Sequence, residues 1–121
     1  MIIKEGEILK IREQRFFRIG KEVYKKEFYD LNAFHIEQSI QLYFKYSLWK
    51  ILGDFEKIHN IEKLLEYYAK ASNQKEKIKK FIQKHDETIN DLNIVYIERD
   101  IYPLNFPKNK STKCFLLLKN Y

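Results

Sequence analysis

The chain has 121 residues, of which 45% are hydrophobic and 16% aromatic, and it contains only three glycines and two prolines. This composition excludes collagen-like and disordered classes, and it predicts a single folded domain over residues 1–121. Basic residues number 23 against 17 acidic ones, and the resulting formal charge of +6 favours anionic partners.

A first helix is predicted from Ile8 to Glu27, because apolar residues recur there on one face. Gly20 lies within the apolar stripe, where glycine costs helix stability, so we expect another helix to approach closely at this point. Asp30 is predicted as the N-cap of a second helix over Leu31–Leu52, and Gly53 is predicted to end that helix.

The second predicted helix is apolar on two sides, whereas one side would suffice for packing onto a core. One side carries Ile36, Ile40, Tyr43, Phe44 and Ile51, and the other carries Phe34, Leu42, Leu48, Trp49 and Leu52. Such a helix is either central in its own bundle or shared between the bundle and a subunit interface. We expect the second arrangement, and therefore a homodimer.

The remaining pattern predicts three further helices. Asn60 is placed to cap a third helix over Ile61–Ala71, and a fourth helix of about 20 residues begins at Lys75. A short fifth helix follows, with Ser111 as its expected N-cap. The predicted fold class is therefore all-α, an up-and-down four-helix bundle with a short extra C-terminal helix.

Cys114 is the only cysteine, so an intramolecular disulfide and a cysteine metal cluster are excluded. We expect no metal site, because no pair of histidines has the spacing of metal ligands. No apolar stretch approaches the roughly 20 residues of a membrane-spanning helix, and no signal-like segment opens the chain. A soluble, cytoplasmic protein without a cofactor is the expectation.

Gln38 and Lys45 lie seven residues apart, which puts them about 20° apart on the second helix, inside an apolar sector. A buried lysine needs a carboxylate, a phosphate or water as its partner. Two roles stay open for the pair, an internal or cross-dimer contact and a contact with a ligand.

The three histidines and one arginine are further candidates. The position of His35 on the helix indicates a hydrogen-bonded packing residue, and His85 lies in the apolar stripe of the fourth helix. His59 lies in a loop beside a helix start, where it could cap the helix or meet a phosphate. Arg99, near Tyr102, could either pack on aromatic rings or hold a phosphate beside a stacked base.

Several of these residues occur in a characteristic order: a phenylalanine and histidine, a glutamine, a helix lysine, a glycine and a loop histidine. They are Phe34, His35, Gln38, Lys45, Leu48, Gly53, His59, Leu64 and Leu65. This order resembles the HEPN domain family, most strongly over 30–65 and more broadly over 13–103. Tyr96, Arg99, Tyr102 and Pro103 resemble the family's ending, although here two residues separate Arg99 from Tyr102.

The resemblance implies a dimeric helical bundle that binds nucleotide or RNA. It also implies a small nucleotidyltransferase as partner, in a toxin–antitoxin or defence pair. Our leading hypothesis is a non-catalytic protein of this kind, with a ligand cleft at Lys45, His59, Arg99 and Tyr102.

Two alternative functions remain open. Ribonucleases of the family carry an arginine, four to six residues and then a histidine, and the nearest match here is Lys80 with His85. Lysine lacks arginine's two-pronged grip on phosphate. A metal-independent ribonuclease using this degenerate pair is one alternative, and a pure protein–protein interaction module is the other.

Overall fold

A computed structural model describes residues 4–55, 60–101 and 106–119, and within these ranges the chain is helical without strands. The all-α prediction is therefore confirmed for this part of the chain. Over the described ranges, six helices run in chain order: α1 (Glu5–Lys25), α2 (Tyr29–Leu52), α3 (Ile61–Ser72), α4 (Lys75–Lys84), α5 (Asp86–Ile97) and α6 (Lys108–Lys119).

Helices α1 and α2 form an antiparallel pair along most of their length. Gly20 lies against the middle of α2, where an added Cβ atom would be 3.1 Å from Ile36 Cδ1. The close approach predicted at Gly20 is thus confirmed. Further along, the Ser39 hydroxyl donates to the backbone oxygen of Glu13 at 3.2 Å. Near the start of α1, Gly6 lies on the indole of Trp49.

Helix α2 is the centre of the fold, because it contacts α3, α5 and α6 as well as α1. Ile40 from one apolar side and Leu48 from the other are buried within the main core, which also holds residues of α3, α4, α5 and α6. Trp49, on the same side as Leu48, is half-buried against α1. Apart from Ile51 and Leu52 at the helix end, which are 45% and 52% exposed, both apolar sides of α2 are thus covered by the same chain. The central position of α2 in the bundle explains its two apolar sides without a second subunit. The homodimer that we inferred from those two sides stays a prediction.

A buried polar link joins three helices. Asn32 of α2 donates through Nδ2 to the backbone oxygen of Gly20 at 2.9 Å, and its Oδ1 accepts from the Ser111 hydroxyl of α6. Both side chains are fully buried. Helix α6 begins at Lys108, so Ser111 lies inside it and the prediction of Ser111 as the N-cap was wrong. The hydroxyl satisfies Asn32 instead.

Helix boundaries follow local rules at some ends and depart from them at others. The Asn60 side chain accepts from the backbone N–H of Lys63 at 3.0 Å, as a predicted N-cap should, and Gly53 takes the left-handed conformation at φ 74°. The prediction of Asp30 as N-cap was wrong, because α2 begins at Tyr29 and Asp30 lies in its first turn. An acidic side chain there still interacts favourably with the helix dipole.

The predicted fourth helix is two helices. His85 has φ −113° and ψ 24°, outside the helical range, and it separates α4 from α5. Lys84 precedes this break, and Asp86 and Glu87 follow it in the first turn of α5. Basic residues favour helix C-termini and acidic residues favour helix N-termini, so this order of charges suits the end of one helix and the start of the next. The apolar stripe continues across the break and gives no sign of it.

Candidate functional site

A row of buried polar side chains follows one face of α2. Glu37, Gln41 and Lys45 are spaced four residues apart, so they lie on adjoining turns, and Gln38 borders them. Their exposed fractions are 0% for Glu37, 3% for Gln41 and 7% for Lys45. Groups this deeply buried require partners, and the partners define what the row can do.

Glu37 is held by two amide side chains. Gln38 Nε2 donates to Oε2 of Glu37 at 2.8 Å, and Gln41 Nε2 donates to its Oε1. Burial raises the pKa of Glu37 from 4.5 to about 7, against the hydrogen bonds from Gln41 and Gln38 and the charges of Lys45 and Arg99, which all lower it. Glu37 is therefore an acid that changes charge near neutral pH.

Lys45 is almost fully buried, as its exposed fraction of 7% shows. Burial lowers the pKa of Lys45, and the charge of Glu37 opposes that shift. Within the described ranges, its ammonium group has no hydrogen bond and no carboxylate in ion-pair distance. A carboxylate was one of the partners expected for this buried lysine. Glu37 acts on Lys45 through its charge, but the two groups form no ion pair.

Arg99 lies just beyond the end of α5 and is exposed. Its Nη1 donates to the backbone oxygen of Tyr96 at 3.0 Å, and its guanidinium carbon lies 4.8 Å from the centroid of the Tyr96 ring. The packing on an aromatic ring that the sequence allowed is therefore observed. The charges of Arg99 and of Lys45 both lower the pKa of Glu37, so both cations act on the same carboxyl group.

Two predicted cleft residues, His59 and Tyr102, lie outside the described residues. Of the other two predicted ligand-binding residues, Lys45 is buried on α2 and Arg99 is exposed beyond α5, and both act on Glu37 through their charges. Sequence reasoning missed the burial of Glu37 and Gln41. A signal for Glu37 was present, since on the helix it lies between Phe44 of one apolar side and Leu48 of the other. An acid among apolar residues predicts a buried carboxyl group.

His35 packs between aromatic rings. Its ring centroid lies 5.8 Å from that of Phe16 and 5.5 Å from that of Phe34, and burial lowers its pKa. The packing role predicted for His35 agrees with these contacts, but the predicted hydrogen bonding is incomplete. Its buried Nδ1 has no hydrogen-bond partner in the described part of the chain.

Lys80 and His85, the degenerate ribonuclease pair, differ in their surroundings. Lys80 is exposed on α4, whereas His85 is half-buried with its ring 4.7 Å from the Phe81 ring. Burial and the charge of Lys84 lower the pKa of His85. The cavity that His85 lines is bordered by Lys84 and Lys113, and Lys80 does not line it.

The described residues contain no group of three or more His, Cys, Asp or Glu side chains that could hold a metal ion. Burial, followed by the charge of Asp91, raises the pKa of Cys114 to about 12, so this thiol stays protonated at neutral pH. Over the same described ranges, the helices are too short or too polar to cross a membrane.

Comparison with known proteins gives one match. A family model described as HEPN domain matches residues 9–115, which include α2, the polar row and Arg99. Neither the curated proteins nor the solved structures contain a significant match to this chain.

Proposed function

Because the chain belongs to the HEPN domain family, whose model covers residues 9–115 of 121, we propose that it binds nucleotides or RNA without catalysing a reaction on them. The cleft lies beside α2, with Lys45 and Arg99 as its cations. In the same proposal His59 and Tyr102 complete the cleft, and α1, α2, α3 and the α4–α5 pair form the up-and-down bundle.

The state of Lys45 is the observation that carries this proposal. A lysine that is only 7% exposed loses solvation of its charge, and a hydrogen-bonded anion compensates that loss best. Glu37, whose charge acts on Lys45, lies outside ion-pair distance and is already held by two glutamines. A phosphate group is therefore a suitable partner for Lys45, with Arg99 as a second donor.

Gln38 supplies a complementary recognition group. Its amide nitrogen donates to Glu37, which fixes the orientation of the side chain and leaves its oxygen as an acceptor. Gln38 is half-buried and lies two turns before Lys45 on the same helix face, about 10 Å away along the axis. An acceptor at this spacing from a cation suits a ribose hydroxyl or a base amine near a phosphate.

Replacing Lys45 should weaken nucleotide binding. Lys45→Met keeps the apolar stem and removes the charge, so we expect the dissociation constants of ATP and of a short RNA to rise by about tenfold. Trp49, the only tryptophan, lies one turn beyond Lys45, so its fluorescence reports occupancy of the cleft.

Lys50→Met is the matched control, because Lys50 is exposed on the same helix with its Nζ 4.7 Å from the Tyr46 ring centroid. This variant should bind as the wild type does. The absence of any fluorescence or calorimetric signal at millimolar ATP and RNA would remove the proposed cleft.

The proposal includes a homodimer and a small nucleotidyltransferase partner, both on the strength of the family resemblance. Because most of both apolar sides of α2 is covered within the chain, the dimer requires another apolar surface. Ile94, Ile97 and Ile101 offer one, since they follow one side of α5 and the turn after it and are 46%, 72% and 80% exposed.

Ile97→Lys should therefore produce a monomer, because a charge at the centre of an apolar interface is strongly unfavourable. Sedimentation velocity distinguishes the two states over a range of protein concentrations. Ile19→Lys, at an exposed isoleucine of α1, is the control and should leave the dimer intact. A wild type that remains monomeric at high concentration would contradict the dimer.

A further inference from the structure

A cavity lies where the break between α4 and α5 faces α6, and neither Lys45 nor Arg99 lines it. Its volume is about 280 Å³. Lys84, His85, Glu87 and Thr88 line it from the break, and Lys113 and two leucines line it from α6. The cavity thus combines polar groups from three helices.

The N-terminus of α5 opens into this cavity without a cap. His85 occupies the N-cap position, and no side chain accepts a hydrogen bond there. In the described part of the chain, no backbone acceptor outside the helices is seen for the N–H groups of Asp86, Glu87 and Thr88. At the start of a helix of 12 residues, N–H groups carry partial positive charge and attract anions.

Thr88 gives an independent indication of a ligand. This residue is only 8% exposed and lines the cavity, yet its hydroxyl forms no hydrogen bond with any other described residue. Thr112 of α6 shows the usual alternative, since its hydroxyl donates to the Lys108 carbonyl one turn earlier at 3.0 Å. The Thr88 hydroxyl is therefore a donor without an acceptor among the described residues.

The charges around the cavity favour an anion. Lys84 and Lys113 are exposed, and neither forms an ion pair within the described ranges, whereas Lys110 of the same helix α6 pairs with Asp91 at 3.6 Å. Glu87 is the acidic residue among those lining the cavity. Packing on Phe81 orients the His85 ring beside these lysines.

We propose that this cavity is a phosphate-binding site, in which Lys84, Lys113, the Thr88 hydroxyl and the first N–H groups of α5 hold a phosphate dianion, free or terminal on a small molecule. The size of the cavity accommodates a phosphate with a small substituent. The site does not depend on the proposed function, because Arg99 lies beyond the opposite end of α5, a helix about 18 Å long.

Amide nuclear magnetic resonance of the full-length ¹⁵N-labelled protein tests this site. Inorganic phosphate is titrated at constant ionic strength against a chloride reference. We expect saturable shifts at the amides of Glu87 and Thr88, with the α2 amides unchanged. Parallel titrations with AMP and with a dinucleotide carrying only a diester phosphate distinguish a terminal dianion from a nucleic-acid backbone.

Single substitutions test the named donors. Lys113→Gln should weaken phosphate binding by about tenfold, and Thr88→Val, which keeps the shape of the side chain, by about fivefold. Lys80→Gln is the control on α4, because Lys80 is exposed and does not line the cavity. Shifts that do not saturate, or an equal affinity in Lys113→Gln and Lys80→Gln, would overturn the site. Shifts confined to α2 would overturn it as well and leave the proposed function standing.

Discussion

Glu37→Gln should flatten the pH dependence of stability. Between pH 4.5 and pH 8, the wild type should lose about 3 kcal/mol more of its free energy of unfolding than the variant does. The reason is that Glu37 is fully buried and its pKa is raised from 4.5 to about 7. Urea unfolding at a series of pH values measures the difference.

The sign follows from the two states of Glu37. Below pH 4.5 the carboxyl group is protonated in the folded and unfolded chain alike, so it contributes no penalty. Between pH 4.5 and about 7 the unfolded chain ionises first, and the folded state loses stability as the pH rises. Above about pH 7 both states are ionised, and the penalty of the buried charge is complete.

Other groups titrate in the same range, so the comparison between variants is what isolates Glu37. Burial lowers the pKa of His35 and of His85, which makes the folded state lose stability as the pH falls through 6.5, the opposite slope. Glu66→Gln, at an exposed residue of α3, should follow the wild-type profile. An identical profile for Glu37→Gln would contradict a buried carboxyl group with a raised pKa.

The sequence predicted the helical fold class and much of the chain order because the determining signals are local. Asn60 caps α3 through its own side chain, and Gly53 ends α2 because glycine tolerates a positive φ. Gly20 was predicted as a close approach because tight helix packing compensates the cost of a glycine inside an apolar stripe. Each of these inferences needs only a few neighbouring residues.

Features set by distant residues could not be predicted in the same way. Ser111 has the local pattern of an N-cap, but Asn32, 79 residues away, fixes its role as a buried donor. The apolar periodicity across His85 predicts one continuous helix, whereas the structure has two helices that are separated at His85. A helical wheel also cannot tell whether the second apolar side of α2 meets α1 or another subunit.

The candidate site was predicted in part for the same reason. Lys45 was identified because a lysine within an apolar sector is conspicuous. Arg99, which lies far along the chain, was included through aromatic context and family resemblance, and its charge acts on Glu37 as that of Lys45 does. Which carboxyl group feels both cations depends on how α5 packs on α2, and the sequence pattern does not specify that packing.

Gly6→Ala should destabilise the protein by about 2 kcal/mol, because it forces apart the contact between α1 and Trp49. A Cβ atom at this position would lie 2.0 Å from Trp49 Cε3 and 2.1 Å from Cδ2, far inside van der Waals contact. The indole cannot yield by a small shift, since its ring also stacks on Tyr46 with centroids 6.4 Å apart. The emission of Trp49 should move to longer wavelength as the ring becomes exposed.

Gly20→Ala is the matched control within the same helix. There the added Cβ atom would lie 3.1 Å from Ile36 Cδ1, the end of a flexible side chain, so a small rotation of that side chain relieves the contact. Alanine also gains about 1 kcal/mol of helix propensity over glycine, so we expect Gly20→Ala to remain within about 1 kcal/mol of the wild type. Urea unfolding followed by Trp49 fluorescence compares both variants. An equally stable Gly6→Ala protein with unchanged emission would mean that Trp49 does not rest on α1, and the covered second side of α2 would then again be open to a partner.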